Sequence, residues 1–174
     1  MVTRLATAAD HEGIVSLFEL LSLESGGTYP RERRVLEDGG MSGWLRLGLD
    51  YPRWVVEEHG KVIGHGQILV LRTGVEETRD YYERAFPGFS LDRLAILQRL
   101  AIAPGRRREG LARELIRIRV EWALACDLLP AVVISRTQVA SNNLYREAGW
   151  QKLVDYRGFH DSRMTSFVWP RPAV

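Results

Sequence analysis

The period of the apolar positions changes repeatedly along this chain, and each change marks an element. "VTRLATAAD" reads as a short strand, after which Thr7 and Asp10 supply the Ser/Thr-x-x-acid pattern of a helix start. Ile14, Leu17, Phe18 and Leu21 then fall at helical spacing and predict one buried face, which "ESGGTYP" ends. "RERRVLEDGGMSGWLRLGLD" predicts a short helix to Asp38 and a second piece around Trp44 to Leu49. "RWVVEE" and "VIGHGQILVLR", joined by "HGK", predict an antiparallel hairpin.

From Gly74 to Arg93 the pattern breaks into a short helix, "VEETRDYYERAF", and a loop, "PGFSLDR", which together form an insertion between strands. "LAILQRLAIAP" is nearly apolar on both faces and predicts a central strand. From Leu111, apolar residues at Leu115, Ile118 and Trp122 make a seam, with Arg113, Arg117 and Glu121 on the other side of the same helix. "PAVVIS" predicts a buried strand, "ASNNLYREAGW" a short helix ending at Gly149, and "WQKLVDYRGF" with "RMTSFVW" a closing strand pair. Strands and helices alternate without repeat or linker, so the expectation is one α/β domain over residues 1–174.

Composition narrows the field. At 174 residues and 45% hydrophobic, the chain suffices for one sizeable core. A net charge of +2 gives no reason to expect a nucleic-acid or membrane partner. The single cysteine, Cys126, excludes a disulfide framework within the chain, and its place at the end of an amphipathic helix predicts a small buried apolar role. His11, His59, His65 and His160 are dispersed without ligand spacing, so no metal is expected. Without an apolar run of membrane-spanning length or a leader pattern, the expectation is a soluble, cytoplasmic protein.

The chemistry concentrates in "AIAPGRRREGLARELI". A helix N-terminus exposes backbone N–H groups and the positive end of its dipole, a natural phosphate site. Gly110 and Ala112 leave room there, and Arg106, Arg107 and Arg108 surround it. A solvated basic turn is the plain alternative; the order of strand, glycine corner and helix favours an anion. Gly105 and Gly110 have P-loop spacing, but Leu111 and Ala112 stand where the lysine and the hydroxyl are required. The glycines of a dinucleotide fingerprint are absent as well. What remains is a pyrophosphate held by backbone amides without a metal.

Arg107-x-x-Gly110-x-Ala112 resembles the Arg/Gln-x-x-Gly-x-Gly/Ala signature of the GNAT superfamily of acyl-CoA-dependent N-acetyltransferases. "LAIAP" resembles that family's central strand, and "NNLYREAGW" its late helix and following strand. The resemblance implies an α/β fold with a mixed, mostly antiparallel, splayed sheet flanked by helices. It implies acetyl-CoA as co-substrate, with Leu100, Ala101 and Ile102 holding the pantetheine and thioester through their backbone. Arg107, Arg108, Glu109, Gly110, Leu111, Ala112 and Arg113 would wrap the pyrophosphate, with Arg106 or Arg108 reaching the ribose phosphate. Tyr145 matches the tyrosine near the sulfur in many members and is the general-acid candidate: a phenol of pKa about 10 can protonate a thiolate of pKa near 8.5. Gln138 stands where the family often has Asn, and is the matching cofactor contact.

The activity so implied is transfer of an acetyl group to a primary amine by direct attack in a ternary complex, a small-molecule amine being favoured over a peptide or protein amine. The amine must attack in neutral form. Some relatives carry a glutamate on the central strand; "LAILQRLAI" has none, so His65 and Glu24 are the substitute base candidates. Two rival readings are an acyl-CoA-binding regulatory domain without turnover and, well below it, a nucleic-acid module using the arginines. The aromatics of the insertion either wall the acceptor site or pack onto the sheet, packing being favoured. Family members are often dimers, so a homodimer is an open expectation: the segment "MTSFVWP" either pairs with a partner chain or is buried within its own.

Overall fold

A two-residue turn organises the start of the sheet. His59 and Gly60 both take positive φ, 49° and 76°, the combination whose twist matches a tight hairpin. It joins β2 (Arg53–Glu58) to β3 (Lys61–Val70), and β1 (Val2–Leu5) adds antiparallel to β2. The computed structural model describes residues 1–26, 39–46, 51–71, 76–158 and 162–170. By its contacts the chain divides into two compact units, Met1–Ile68 with Arg99–Ile118, and Leu69–Gln98 with Arg119–Val174.

In the first unit Thr7 and Asp10 form the expected capping box. The Asp10 carboxylate accepts from the Thr7 amide at 2.7 Å and from both terminal nitrogens of Arg4 at 2.8 and 2.7 Å. The Arg4 guanidinium therefore holds the Asp10 carboxyl well below the usual carboxylate range, against the opposing effect of burial. A 3₁₀ turn then leads into α1 (His11–Glu24), whose Ile14, Leu17, Phe18 and Leu21 pack with Leu45, Val55 and Ala101. The next helix, α2, spans Gly40–Arg46, earlier than the expected piece from Trp44; the helix expected up to Asp38 lies outside the described residues.

In the second unit α3 (Glu76–Ala85) is the helix of the insertion, and Tyr81, Tyr82, Ala85 and Phe86 are buried in a core with Leu91, Leu94 and Ile96. Packing onto the core accounts for these aromatics. The central strand β4 (Leu94–Ile102) pairs in parallel with β5 (Leu129–Ser135), but only over Leu94–Leu97 against Leu129–Val132; the ladder stops before either strand ends. Between them in sequence runs α4 (Leu111–Ala125), whose seam of Leu111, Leu115, Ile116, Val120 and Ala123 also buries Arg119 completely. Cys126 corrects an expectation. It is exposed, because the helix has ended at Ala125 and the chain turns through Asp127 at φ 56°.

The helix α5 (Val139–Glu147) ends at Gly149, φ 82°, where the Gly149 and Trp150 amides donate back to the Arg146 and Tyr145 carbonyls. Strand β7 (Arg163–Val168) then enters between β5 and β6 (Gln151–Arg157), antiparallel to both. Both edges of the segment containing "MTSFV" are thus used within the chain. The strand order is β1-β2-β3-β4-β5-β7-β6, a seven-stranded, mixed and mostly antiparallel sheet flanked by helices, as expected. Among the described residues no helix is long and apolar enough to cross a membrane.

Candidate functional site

After β4 the chain makes a 3₁₀ turn at Pro104–Arg106 and passes through two left-handed residues, Arg108 at φ 70° and Gly110 at φ 83°, before α4 begins at Leu111. The first bond of the helix runs from the Glu114 amide to the Gly110 carbonyl at 3.0 Å, so the preceding amides lie at its open end. A Cβ built on Gly110 meets no atom within 4 Å and would point into open space. Backbone donors, the positive end of a 15-residue helix and a glycine cradle converge on one spot.

The arginines divide their work. Arg106 is paired with Glu58 and with Glu109, which together raise its pKa, Glu109 foremost. Arg107 donates to both oxygens of Glu24, one at 2.9 Å, so that base candidate is tied to the glycine corner across 83 residues of sequence. Arg108 is exposed and makes no hydrogen bond or ion pair among the described residues, and Arg113 is exposed on the first turn of α4. Ala112 and Leu111 sit beneath, half-buried and buried.

Immediately before the Leu100–Ile102 segment, Arg99 takes φ 49°, a left-handed kink in the middle of a strand and the kind of strain that clusters at working sites. His65, fully buried on β3, braces it: its Nδ1 lies 2.8 Å from the Arg99 carbonyl. A carbonyl only accepts, so Nδ1 carries the proton and Nε2 the lone pair of the neutral ring. The edge of Phe18 packs against that ring, 5.5 Å between centroids.

In the second unit Tyr145 is buried on α5, edge-on to Trp150 at 4.9 Å and stacked on Phe167 at 6.5 Å. Its hydroxyl accepts from Arg119; burial pushes the phenol pKa up and the guanidinium partly offsets the rise. Arg119 donates in turn to the Gln98 carbonyl at 3.2 Å. The sequence reading missed this residue, although it stands four places after Leu115 in the apolar seam. Gln138 heads α5 without a side-chain capping bond, and the Asn142 amide donates to the Ser135 and Gln138 carbonyls at 2.9 Å each, fixing that turn. Among the described residues no cluster of His, Cys, Asp or Glu is placed to hold a metal ion.

The model of the Acetyltransferase (GNAT) family matches residues 14–150. The chain belongs to this family. GNAT enzymes use acetyl-CoA, and the corner described above fits it: donors, dipole and a glycine cradle with room beside it. The GNAT fold is also seen in solved structures. The chain is similar to the Salmonella typhimurium yncA protein, solved with its cofactor acetyl-CoA, at 19% identity and TM-score 0.67 over 100% of this chain and 96% of that one. A ribosomal-protein-alanine N-acetyltransferase from Brucella melitensis aligns at 18% identity and TM-score 0.63 over 97% and 99%. An N-acetyltransferase from Staphylococcus aureus Mu50 does so at 15% identity and TM-score 0.66 over 97% and 96%. No curated protein matches the chain significantly.

Proposed function

We propose that this GNAT chain moves an acetyl group from acetyl-CoA to the primary amine of a small molecule by direct attack. The observation that carries the reading is the amide corner at Arg108–Leu111, shaped by two left-handed residues and open at Gly110. Its fixed amides hold the pyrophosphate, while Arg107 and Arg108, both exposed, add a modest charge contribution. Leu100, Ala101 and Ile102 orient the pantetheine through their backbone, and Gln138 serves the same cofactor from the head of α5. Bound acetyl-CoA supplies a thioester carbonyl and a thiol leaving group.

Of the two base candidates His65 is favoured, because its bond to the Arg99 carbonyl leaves Nε2 as the lone-pair nitrogen, whereas both oxygens of Glu24 accept from Arg107. Tyr145 is the general acid, its raised pKa keeping the proton in place until a thiolate forms. Direct attack suits the position of Cys126, just past the far end of α4, roughly 20 Å along the helix from the corner.

The test is calorimetric titration with acetyl-CoA of the wild type, Arg107→Glu and Gly110→Trp, followed by CoA release against a panel of amines. Saturable binding by the wild type, lost in Gly110→Trp and weakened in Arg107→Glu, with turnover of at least one amine, is expected. A folded wild type that does not bind acetyl-CoA refutes the reading; binding without turnover across the panel favours an acyl-CoA-binding domain instead.

A further inference from the structure

One row of side chains in the first unit is polar where its neighbours are core. Arg53 of β2 stands opposite Gln67 of β3, in register, and paired residues project to the same face. Arg99 of β4 donates from Nη1 to the Gln67 Oε1 at 3.0 Å, and its guanidinium lies 4.6 Å over the ring of Trp44 on α2. The next pair on that face is Val55 with His65, and Val55 belongs to the core under α1. The row of Arg53, Gln67 and Arg99 is therefore a charged end to an apolar face.

Burial makes that end costly. Arg53 is 6% exposed and Gln67 1%, and the Arg53 Nη1 has no hydrogen-bond partner among the described residues. The Asp10 carboxylate supports the Arg53 charge only through space, because its oxygens already accept from Arg4 and Thr7. A buried guanidinium with an unanswered N–H is destabilising unless some other group meets it. Arg99, half-buried beside the half-buried Trp44, is the solvent-facing member of the row. Two forked cations flank one amide, one of them over an indole ring, and a guanidinium fork matches the plane of a carboxylate.

Arg99 directly precedes the segment assigned to the thioester. We infer that the Arg53–Gln67–Arg99 row receives a carboxylate of the acceptor, so that the acceptor is a small amino carboxylate rather than a neutral amine or a polycation. A polyamine would meet two guanidiniums of its own sign. This inference rests on the acetyltransferase reading and specifies its substrate class.

The experiment measures kcat/KM by CoA release for alanine, leucine and phenylalanine, each against its primary amide, in the wild type, Arg53→Gln and Arg99→Gln. The amide has the less basic amine and is intrinsically the readier nucleophile, so a preference for the acid reports recognition. In the wild type the acid is expected to win in at least one pair. In both variants its kcat/KM falls at least about thirtyfold, as for loss of one partner of a buried charged pair, with the amide and the acetyl-CoA dissociation constant little changed. A wild type that turns over amides as well as acids overturns the inference and leaves the acetyltransferase reading standing. No acetyl-CoA binding removes both. Arg53→Met separates recognition from scaffolding: without ligand it should melt no lower than the wild type, since an unpaired buried charge is gone, and a fall of more than about 5 °C overturns the assignment.

Discussion

Replacing Gly110 by alanine separates the fold of the corner from its binding role. The added Cβ touches nothing within 4 Å, so in the ligand-free protein the only cost is the left-handed backbone at φ 83°. That conformation costs a non-glycine residue about 1–2 kcal/mol. Alanine's narrower unfolded ensemble offsets about 0.4–1 kcal/mol of it. A net loss near 1 kcal/mol lowers Tm by roughly 2–4 °C in a chain of this size. Binding should suffer more, because the methyl group occupies the space the pyrophosphate needs. Losing one charge-assisted amide bond, about 1.5–3 kcal/mol, weakens acetyl-CoA binding by roughly ten- to hundredfold. Arg108→Gly is the control of opposite sign: relief at φ 70° raises Tm by roughly 2–4 °C, while loss of one exposed charge costs about threefold in affinity or less. Circular-dichroism melts and calorimetric titrations read the two quantities separately. If Gly110→Ala lowers Tm yet binds acetyl-CoA within about twofold of the wild type, the pyrophosphate does not lie on this corner and the reasoning fails.

Three further outcomes follow from other contacts. Glu24→Gln releases Arg107 and removes a negative charge beside the corner, so acetyl-CoA should bind about two- to fivefold tighter at low salt, the gain fading as salt rises, with Tm little changed; weaker binding would show that Glu24 positions Arg107 for the ligand. Tyr145→Phe should reduce kcat by about 10²–10⁴ with the acetyl-CoA dissociation constant unaltered, and a variant that keeps its kcat removes Tyr145 from the chemistry. The depressed pKa of Asp10 contributes stability that is complete above the unfolded value of about 3.9 and is lost as pH falls toward the folded one. Tm curves for the wild type and Asp10→Asn should therefore lie furthest apart near neutrality and converge in acid; parallel curves would contradict the pairing with Arg4.

Much of this was readable because local signals agree with one another. "RWVVEE", "HGK" and "VIGHGQILVLR" carry alternation and a left-handed turn within a few residues, and the hairpin followed. Thr7 with Asp10, and Gly149 after "LYREA", mark helix ends through caps that depend on neighbours only. The misses are long-range. Arg119 belongs to the helical seam by spacing, but a charged side chain carries no local signal of burial, and it is the residue that meets Tyr145. Arg99 interrupts an apolar strand, and nothing local announces that its carbonyl meets His65 and its guanidinium meets Trp44. Glu24 closes α1, and no local pattern announces that Arg107, 83 positions away, pairs with it. Nor does the pattern of "RMTSFVW" say on which strands it pairs, since both faces of a strand read alike whichever neighbours it has.

That pairing governs how the chain can be made. Strands β5 and β6 leave the ribosome first, and each offers an edge to the same missing neighbour, β7. Until Arg163–Val168 has been synthesised, the two waiting edges are open to each other or to another nascent chain, and a mispaired sheet must reopen to admit the strand. Translation that stops short of Arg163 would leave a product with its other strands complete and two sticky edges, destined for aggregates rather than for a smaller folded protein.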